Sequence, residues 1–402
     1  MARKQQRARW TRRSAWIACL AVLLMVGISG CGSGFFSPSS SGTGSSTGTG
    51  SGSSTRNAVY VANSNPNLDT VASFSLSAGV LTALTGSPAQ VPTVPSALAI
   101  NPAGDLLWVG GELGEIYVYT TDAVGALTLG ASSDPVGEVD GTVGSMVVDP
   151  TGQWLLVEVN TGTTPVIYVF QIDSSTGTLT QTTGSPVVLD TGSATQLAFT
   201  PGGTELFAAL GTGGVDVLTF TPSSGALGKL NVLLNPLGSS YSDQGLAVDT
   251  TGTYLFVAET GTNGLRVLTI NSGGSLSEVA GSPFAAGLGP KSVVVDATNA
   301  YVYVSNAATN TISGYALASA TGALTPLAGS PFTTGSGPYS LTEDGTGTYL
   351  LAASEGGNPD LQVFTITAST GTVPGALVSA TTASTGSTSS VAAAAIAVAA
   401  TP

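Results

Sequence analysis

From residue 57 onward the chain is written in a two-residue rhythm. Short runs alternate apolar and polar positions, as in Tyr60-Val61-Ala62-Asn63, Ile116 to Thr120, Ile167 to Ile172, Val215 to Phe220 and Leu361 to Ile366. No stretch of comparable length carries the 3.6-residue period of an amphipathic helix, so the pattern predicts strands. Each run is bounded by residues that turn a chain. One boundary is a small apolar run ending Asn/Asp-x-x-Gly, as in Asn101-Pro102-Ala103-Gly104, Asp149-Pro150-Thr151-Gly152 and Asp249-Thr250-Thr251-Gly252. Another is a Ser/Thr-Gly turn, as in Thr176-Gly177, Ser224-Gly225 and Thr321-Gly322. A third is Gly-Ser-Pro, beginning at Gly86, Gly184, Gly281 and Gly329, where Gly supplies a positive-φ corner and Pro is expected to end pairing.

These boundaries recur in register. The strand after the Asn/Asp turn is expected to begin near residues 57, 105, 153, 204, 253, 300 and 348, a repeat of 47 to 51 residues. Each unit holds four short strands. Four strands repeated at that period are the mark of a β-propeller blade. The sequence therefore predicts an all-β fold, a seven-bladed propeller of four-stranded antiparallel blades spanning 57–402. The first blade lacks its innermost strand at the N-terminal side. Residues 391–400 are the spare copy: Ile396-Ala397-Val398 parallels Leu98-Ala99-Ile100, although the alanine run 392–395 on its own favours a helix. A C-terminal strand there would close the ring and pair two edges that otherwise stand open.

The first 56 residues follow a different pattern. Six of the ten basic residues fall within positions 1–13, and an almost wholly apolar stretch of about 16 residues follows from Ala15 to Gly30. That is short of the roughly 20 residues a membrane span needs and reads as a signal peptide, residues 1–30. Arg12-Arg13 loosely resembles a twin-arginine export signal. Ile28-Ser29-Gly30-Cys31 resembles the bacterial lipobox, which implies lipidation of Cys31 as the first mature residue. Residues 31–56 are then a tether. Of the 24 residues from Gly32 to Thr55, 21 are Gly, Ser or Thr, a composition that stays a flexible coil with a reach of roughly 27 Å. The expected address is exported and lipid-anchored to a bacterial membrane, at the outer membrane, in the periplasm or on the cell surface.

Charge narrows the chemistry. Formal net charge is −13, and beyond position 13 only four basic residues face 23 acids. Such a surface lacks the basic footprint that nucleic acid requires. The chain has no histidine, which removes Ser-His-Asp triads and His-ligated metals, and Cys19 and Cys31 both precede the repeats. No cofactor is expected. Asn63, Asn65, Asn67 and Asp69, and separately Asp134, Glu138 and Asp140, group hard oxygen ligands, but neither set has the spacing of a calcium loop, so no metal is predicted.

Function is expected on the loops of one face, those joining the second and third strands and those joining consecutive blades. That face gathers Asp69, Glu112, Glu115, Asp134, Glu138, Asp140, Glu158, Asp190, Asp243, Glu259, Glu355 and Asp360, with Lys291 alone opposing them. Lys291 follows Gly289-Pro290 at the start of an innermost strand, and Tyr339 follows Gly337-Pro338 at the equivalent place. Lys291 is the candidate group to polarise a carbonyl, with Asp243 or Glu259 as a general base for water, and Tyr339 and Tyr241 as substrate contacts. A neutralising surface charge is the plainer reading of Lys291. The acids of the opposite face, Asp149, Asp249 and Asp296, read as turn formers.

Tyr303-Val304-Ser305-Asn306 with Asn310-Thr311-Ile312 resembles the Tyr-Val-Thr-Asn propeller repeat. Together with the Thr-Gly-x-Leu turns, Gly-x-Gly-Pro corners and Asp/Asn-Pro-x-Gly turns, it resembles the seven-bladed lactonase family, the 6-phosphogluconolactonase-like propellers. The resemblance implies lactone hydrolysis. Members often carry Gly-Pro-Arg-His at an inner strand, where this chain has Gly289-Pro290-Lys291-Ser292 and Gly337-Pro338-Tyr339-Ser340. Without the Arg fork a phosphorylated lactone is poorly held, so an uncharged lactone is the expected substrate. The other function class open to this sequence is a non-catalytic surface module for protein or glycan.

Overall fold

A computed structural model describes residues 57–64, 68–130, 134–162, 164–357, 359–386 and 395–402. The signal segment, Cys31, the tether, Asn65, Asn67 and residues 391–394 lie outside them. The described residues contain strands and no α-helix, arranged as seven antiparallel sheets. Blade 1 runs outward from Ala395–Ala400 through Ala58–Asn63 and Thr70–Ser77 to Val80–Ala83. Blades 2 to 7 begin with the inner strands Pro95–Ile100, Thr142–Val148, Gln196–Phe199, Ser242–Val248, Pro290–Val295 and Pro338–Glu343. The second strands start at Ala58, Leu106, Trp154, Glu205, Tyr254, Tyr301 and Tyr349, each one residue after the position expected from sequence.

The C-terminal strand closes the ring. Ala395–Ala400 pairs antiparallel with Ala58–Asn63, and Thr401 adds two bonds to Ala58: its N–H donates to the carbonyl and its hydroxyl accepts the amide. Ala395, Val398 and Ala400 are buried in the core shared with blade 7, a gain that outweighs the weak local helix preference of alanine within this strand.

There is no single core. Seven apolar clusters are each shared by two neighbouring blades, so the ring is held by seven like interfaces. Aromatic side chains of the second strands clasp the outer turn of the following blade. Tyr60 Oη donates to Gly125 O, Trp108 Nε1 to Gly177 O, Trp154 Nε1 to Pro222 O and Tyr303 Oη to Gly375 O, at 2.7–2.9 Å. This accounts for the Ser/Thr-Gly turns. At Gly225, φ is 68° and a Cβ would stand 2.4 Å from the Trp154 ring; at Gly322, φ is 71° and the Tyr254 ring would be 2.7 Å away. Both turns demand glycine for conformation and for closeness.

The Gly-Ser-Pro corners differ from expectation. Pairing does not end at the proline; the outer strand is interrupted and resumes beyond it, as at Ala89–Gln90, Val187–Val188, Phe284–Ala285 and Phe332–Thr333. The serine bridges the interruption: Ser87, Ser185, Ser282 and Ser330 each accept an N–H from the third strand, at 2.8–3.0 Å. The Asn/Asp turns behave as read. Asp149, Asp249, Asp296 and Asp344 each accept two backbone N–H groups, four and five residues on, through Oδ1.

Candidate functional site

The inner strands are irregular at one place. In six of the seven, pairing with the second strand slips by an extra residue near the loop-face end. Ser96, Gly144, Gln244, Tyr339 and Ile396 are the inserted residues in five blades, and Lys291 with Ser292 share the slip in blade 6. A bulge re-aims a side chain that a regular strand would direct elsewhere. Here three consecutive bulges bring their side chains together. Lys291 Nζ donates to Gln244 Oε1 at 2.9 Å, and it stands 5.2 Å from the centroid of the Tyr339 ring. Gln244 is itself held by the hydroxyl of Ser242.

Side chains at this level of the inner strands stitch the ring, three of them beside a bulge and Gln196 in the regular inner strand of blade 4. Ser145 Oγ accepts Leu197 N–H, Gln196 Oε1 accepts Leu246 N–H, Ser292 Oγ accepts Leu341 N–H and Ser340 Oγ accepts Val398 N–H, at 3.0–3.3 Å. Each bond crosses from one blade to the inner strand of the next. Between blades 5 and 6 this position is Gly245, where a Cβ would lie 2.4 Å from Lys291 O. The backbones there pack directly, which fixes the carrier of the Lys291 side chain against blade 5.

Lys291 is half-buried. Burial pushes its pKa below the ordinary lysine value, and the carboxylate of Glu355 pulls the other way. Burial, with Glu355 adding to it, raises the Tyr339 phenol. Glu355 is exposed, in the turn between the second and third strands of blade 7. A desolvated ammonium with a neutral amide partner and an aromatic face can stabilise negative charge developing on a carbonyl oxygen. Glu355 is the carboxylate whose field reaches both Lys291 and Tyr339, and sequence reading named it only as one rim acid among many.

Lys291 and Tyr339, equivalent positions of neighbouring blades, are thus brought together. Asp243 and Glu259 are not brought to them. The two acids pair across the first two strands of blade 5, just before the bulge at Gln244 reverses the alternation, and both are fully buried. Arg266 Nη1 lies 3.5 Å from Glu259 Oε1 and 4.0 Å from Asp243 Oδ2, and Arg266 Nη2 lies 2.6 Å from Glu278. Glu259 also accepts Leu237 N–H at 2.7 Å. Burial raises the pKa of Asp243 to about 7; Arg266 opposes the rise and the neighbouring Glu259 adds to it. That value suits a general base, but a carboxylate sealed behind the inner strand cannot meet a substrate. Tyr241 packs over Gly238 and Gly261, where a Cβ would touch its ring at 3.0 and 2.2 Å.

Lys291 is also not the one cation of this face. Besides Arg266, Lys229 bridges Asp190 at 2.7 Å and the buried Asp216 at 3.1 Å. Both were missed because Arg266 stands in the third strand and Lys229 in the outer strand, away from the loops and inner-strand starts where the sequence placed the site, and only their long side chains reach the acids. Glu158 lies in the second strand of blade 3, fully buried and without hydrogen-bond partners for either oxygen; burial, then Asp216, holds its pKa well above the ordinary range. Among the described residues no group of three or more His, Cys, Asp or Glu is arranged to hold a metal ion.

The comparisons with known proteins agree with the architecture. Solved structures share the fold, among them the following three. Proteins assigned as 6-phosphogluconolactonases from Bacteroides uniformis and Bacteroides fragilis are 17% and 18% identical, cover 86% and 87% of this chain and 99% of their own, each with a TM-score of 0.69. The periplasmic gluconolactonase of Pseudomonas aeruginosa is 18% identical, with 81% and 96% covered and a TM-score of 0.62. No curated protein matches the sequence. The sequence profile of the seven-bladed β-propeller lactonases matches residues 155–401, more than half of the chain. The chain therefore belongs to the lactonase family of seven-bladed β-propellers.

Proposed function

We propose that this chain is an exported lipoprotein, anchored through Cys31, that hydrolyses an uncharged lactone at the mouth of its channel. The observation that carries the reading is the Lys291 ammonium, desolvated and hydrogen-bonded to neutral Gln244 over Tyr339. In this mechanism the lactone carbonyl oxygen accepts a hydrogen bond from Lys291. Water adds to the carbonyl carbon as its proton passes to Glu355, and the oxyanion gathers at Lys291. The ring C–O bond then breaks, the leaving alkoxide takes the proton from Glu355, and a hydroxy acid departs. Its new carboxylate meets an acidic rim, which favours release. The same rim disfavours phosphorylated substrates, and a periplasmic gluconolactonase among the proteins of this fold is consistent with a lactone found outside the cytoplasm.

A second reading, a non-catalytic surface module, is favoured by the burial of Asp243 and Glu259, which leaves Glu355 as the only base proposed here. Proton release from a panel of five- and six-membered uncharged lactones separates the two. Turnover above the rate of buffer supports the hydrolase, and a wild-type protein inert on every lactone supports the binding module.

A further inference from the structure

A cleft opens on the loop face of blade 4, and Lys291 is not among its lining residues. It has a volume of about 410 Å³ and is lined by Asp190, Thr191, Gly192, Thr212, Gly213, Leu233 and Asn235. That volume lies within the range of small-molecule sites, about 300–1,000 Å³. Its walls are the loop entering blade 4, the turn between the blade's second and third strands, and the end of its outer strand.

Three charged side chains hold these walls. Asp216, fully buried, accepts Asp190 N–H at 2.9 Å. Lys229 fixes the Asp190 carboxylate from the side. Arg266, 3% exposed at its side chain, donates through Nη1 to the carbonyl of Asn235 at 2.9 Å. Burying charge is costly, and these contacts recover that cost at the backbone of the lining loops. The floor is equally constrained: a Cβ at Gly192 would lie 2.3 Å from Leu210 O, and one at Gly213 would lie 2.1 Å from Thr191 O. The lining side chains of Thr191, Thr212 and Asn235 make no hydrogen bond among the described residues. A held frame around free hydroxyl and amide groups is the arrangement of a preorganised site.

The local charge selects the ligand. Lys229 is already matched by two carboxylates, so it leaves no cation for an anionic ligand, and it blunts the pull of Asp190 on a free cation. What remains is one oriented carboxylate, one amide, two hydroxyls and the exposed side chain of Leu233. We infer that this cleft binds a neutral, hydroxyl-rich ligand, a sugar unit, with Asp190 and Asn235 taking adjacent hydroxyls and Leu233 meeting a C–H face.

The test uses the purified full-length protein with cellobiose, maltose and diacetylchitobiose as probes, read by saturation-transfer NMR at millimolar sugar. Binding of at least one neutral disaccharide is expected, and glucuronic acid should give none. Thr212 and Asn235 are exposed, so Thr212→Trp and Asn235→Ala should leave the melting temperature unchanged. Thr212→Trp, which fills the cleft, should weaken binding by an order of magnitude or more; Asn235→Ala should weaken it several-fold. Lactone turnover should be the same in both variants, which keeps this site distinct from the one around Lys291. The inference is overturned if none of the three sugars binds, or if both variants bind as the wild type does. It is also overturned if calcium alone, and no sugar, raises the melting temperature in a manner that Asp190→Asn abolishes.

Discussion

Replacing Asp243 by Asn isolates what a sealed carboxylate does to this fold. The side chain is fully buried beside Glu259 and Arg266, and its pKa stands at about 7 against an ordinary 3.8. The unfolded chain releases this proton above about pH 4, whereas the folded protein keeps it until about pH 7. Across that window the unfolded state is favoured by about 1.4 kcal/mol for each pH unit. The penalty is absent below pH 4 and complete above pH 7, on the order of 4 kcal/mol at most. The pull of Arg266 is already contained in that pKa, and Asn imitates the protonated acid at every pH. The two proteins should therefore show equal stability at pH 4, with the variant gaining progressively and leading by up to about 4 kcal/mol at pH 8. Guanidinium unfolding at pH 4, 5.5, 7 and 8 measures the difference directly. Two stability curves that run parallel over this range would refute the reasoning. A variant that loses lactone turnover at unchanged stability would return Asp243 to the role of base.

Ser292→Ala removes the acceptor of Leu341 N–H between blades 6 and 7 and should cost about 1–3 kcal/mol, measured by chemical denaturation. Gly245→Ala should destabilise the fold and also lower turnover, since its Cβ would strike Lys291 O; turnover retained in a folded variant would contradict the packing. Deleting residues 388–402 removes the inner strand of the first blade and leaves the edge of Ala58–Asn63 unpaired, which should give aggregation or loss of cooperative melting, against an unchanged melt if closure lies elsewhere. Cys31→Ala should move the protein from membrane to soluble fractions, and unchanged retention would argue against lipidation.

The fold was legible because a propeller repeats its own punctuation. The same turn chemistry returns at each blade, so the register of second strands was placed within one residue along the whole ring. The C-terminal strand was readable for a different reason: counting strands left blade 1 one short, and that outweighed the helical bias of its alanines. The site was legible only in part. Gly-Pro before Lys291 and Tyr339 marked the inner-strand starts, and those two side chains do meet. Asp243 and Glu259 were placed on the loop face by their nearness to the loops, and the structure buries them beside a bulge. A single inserted residue, Gln244, turns the chain by one position, so the acid before it faces the interior and the amide faces Lys291. Nothing in Ser242-Asp243-Gln244-Gly245 announces a bulge. Arg266 and Lys229 were counted but not placed at the site, because they stand in the third and fourth strands and only their long side chains reach the buried acids.

The claim on which the functional account turns is that the bulge-borne ammonium of Lys291 stabilises the oxyanion of lactone hydrolysis. It is tested most directly by steady-state hydrolysis of the best uncharged lactone by the wild type, Lys291→Ala and Tyr339→Phe. The account predicts a fall of about 10²–10³ in kcat for Lys291→Ala, a smaller loss for Tyr339→Phe, and little change in melting temperature for either. A folded Lys291→Ala protein with full turnover would contradict it.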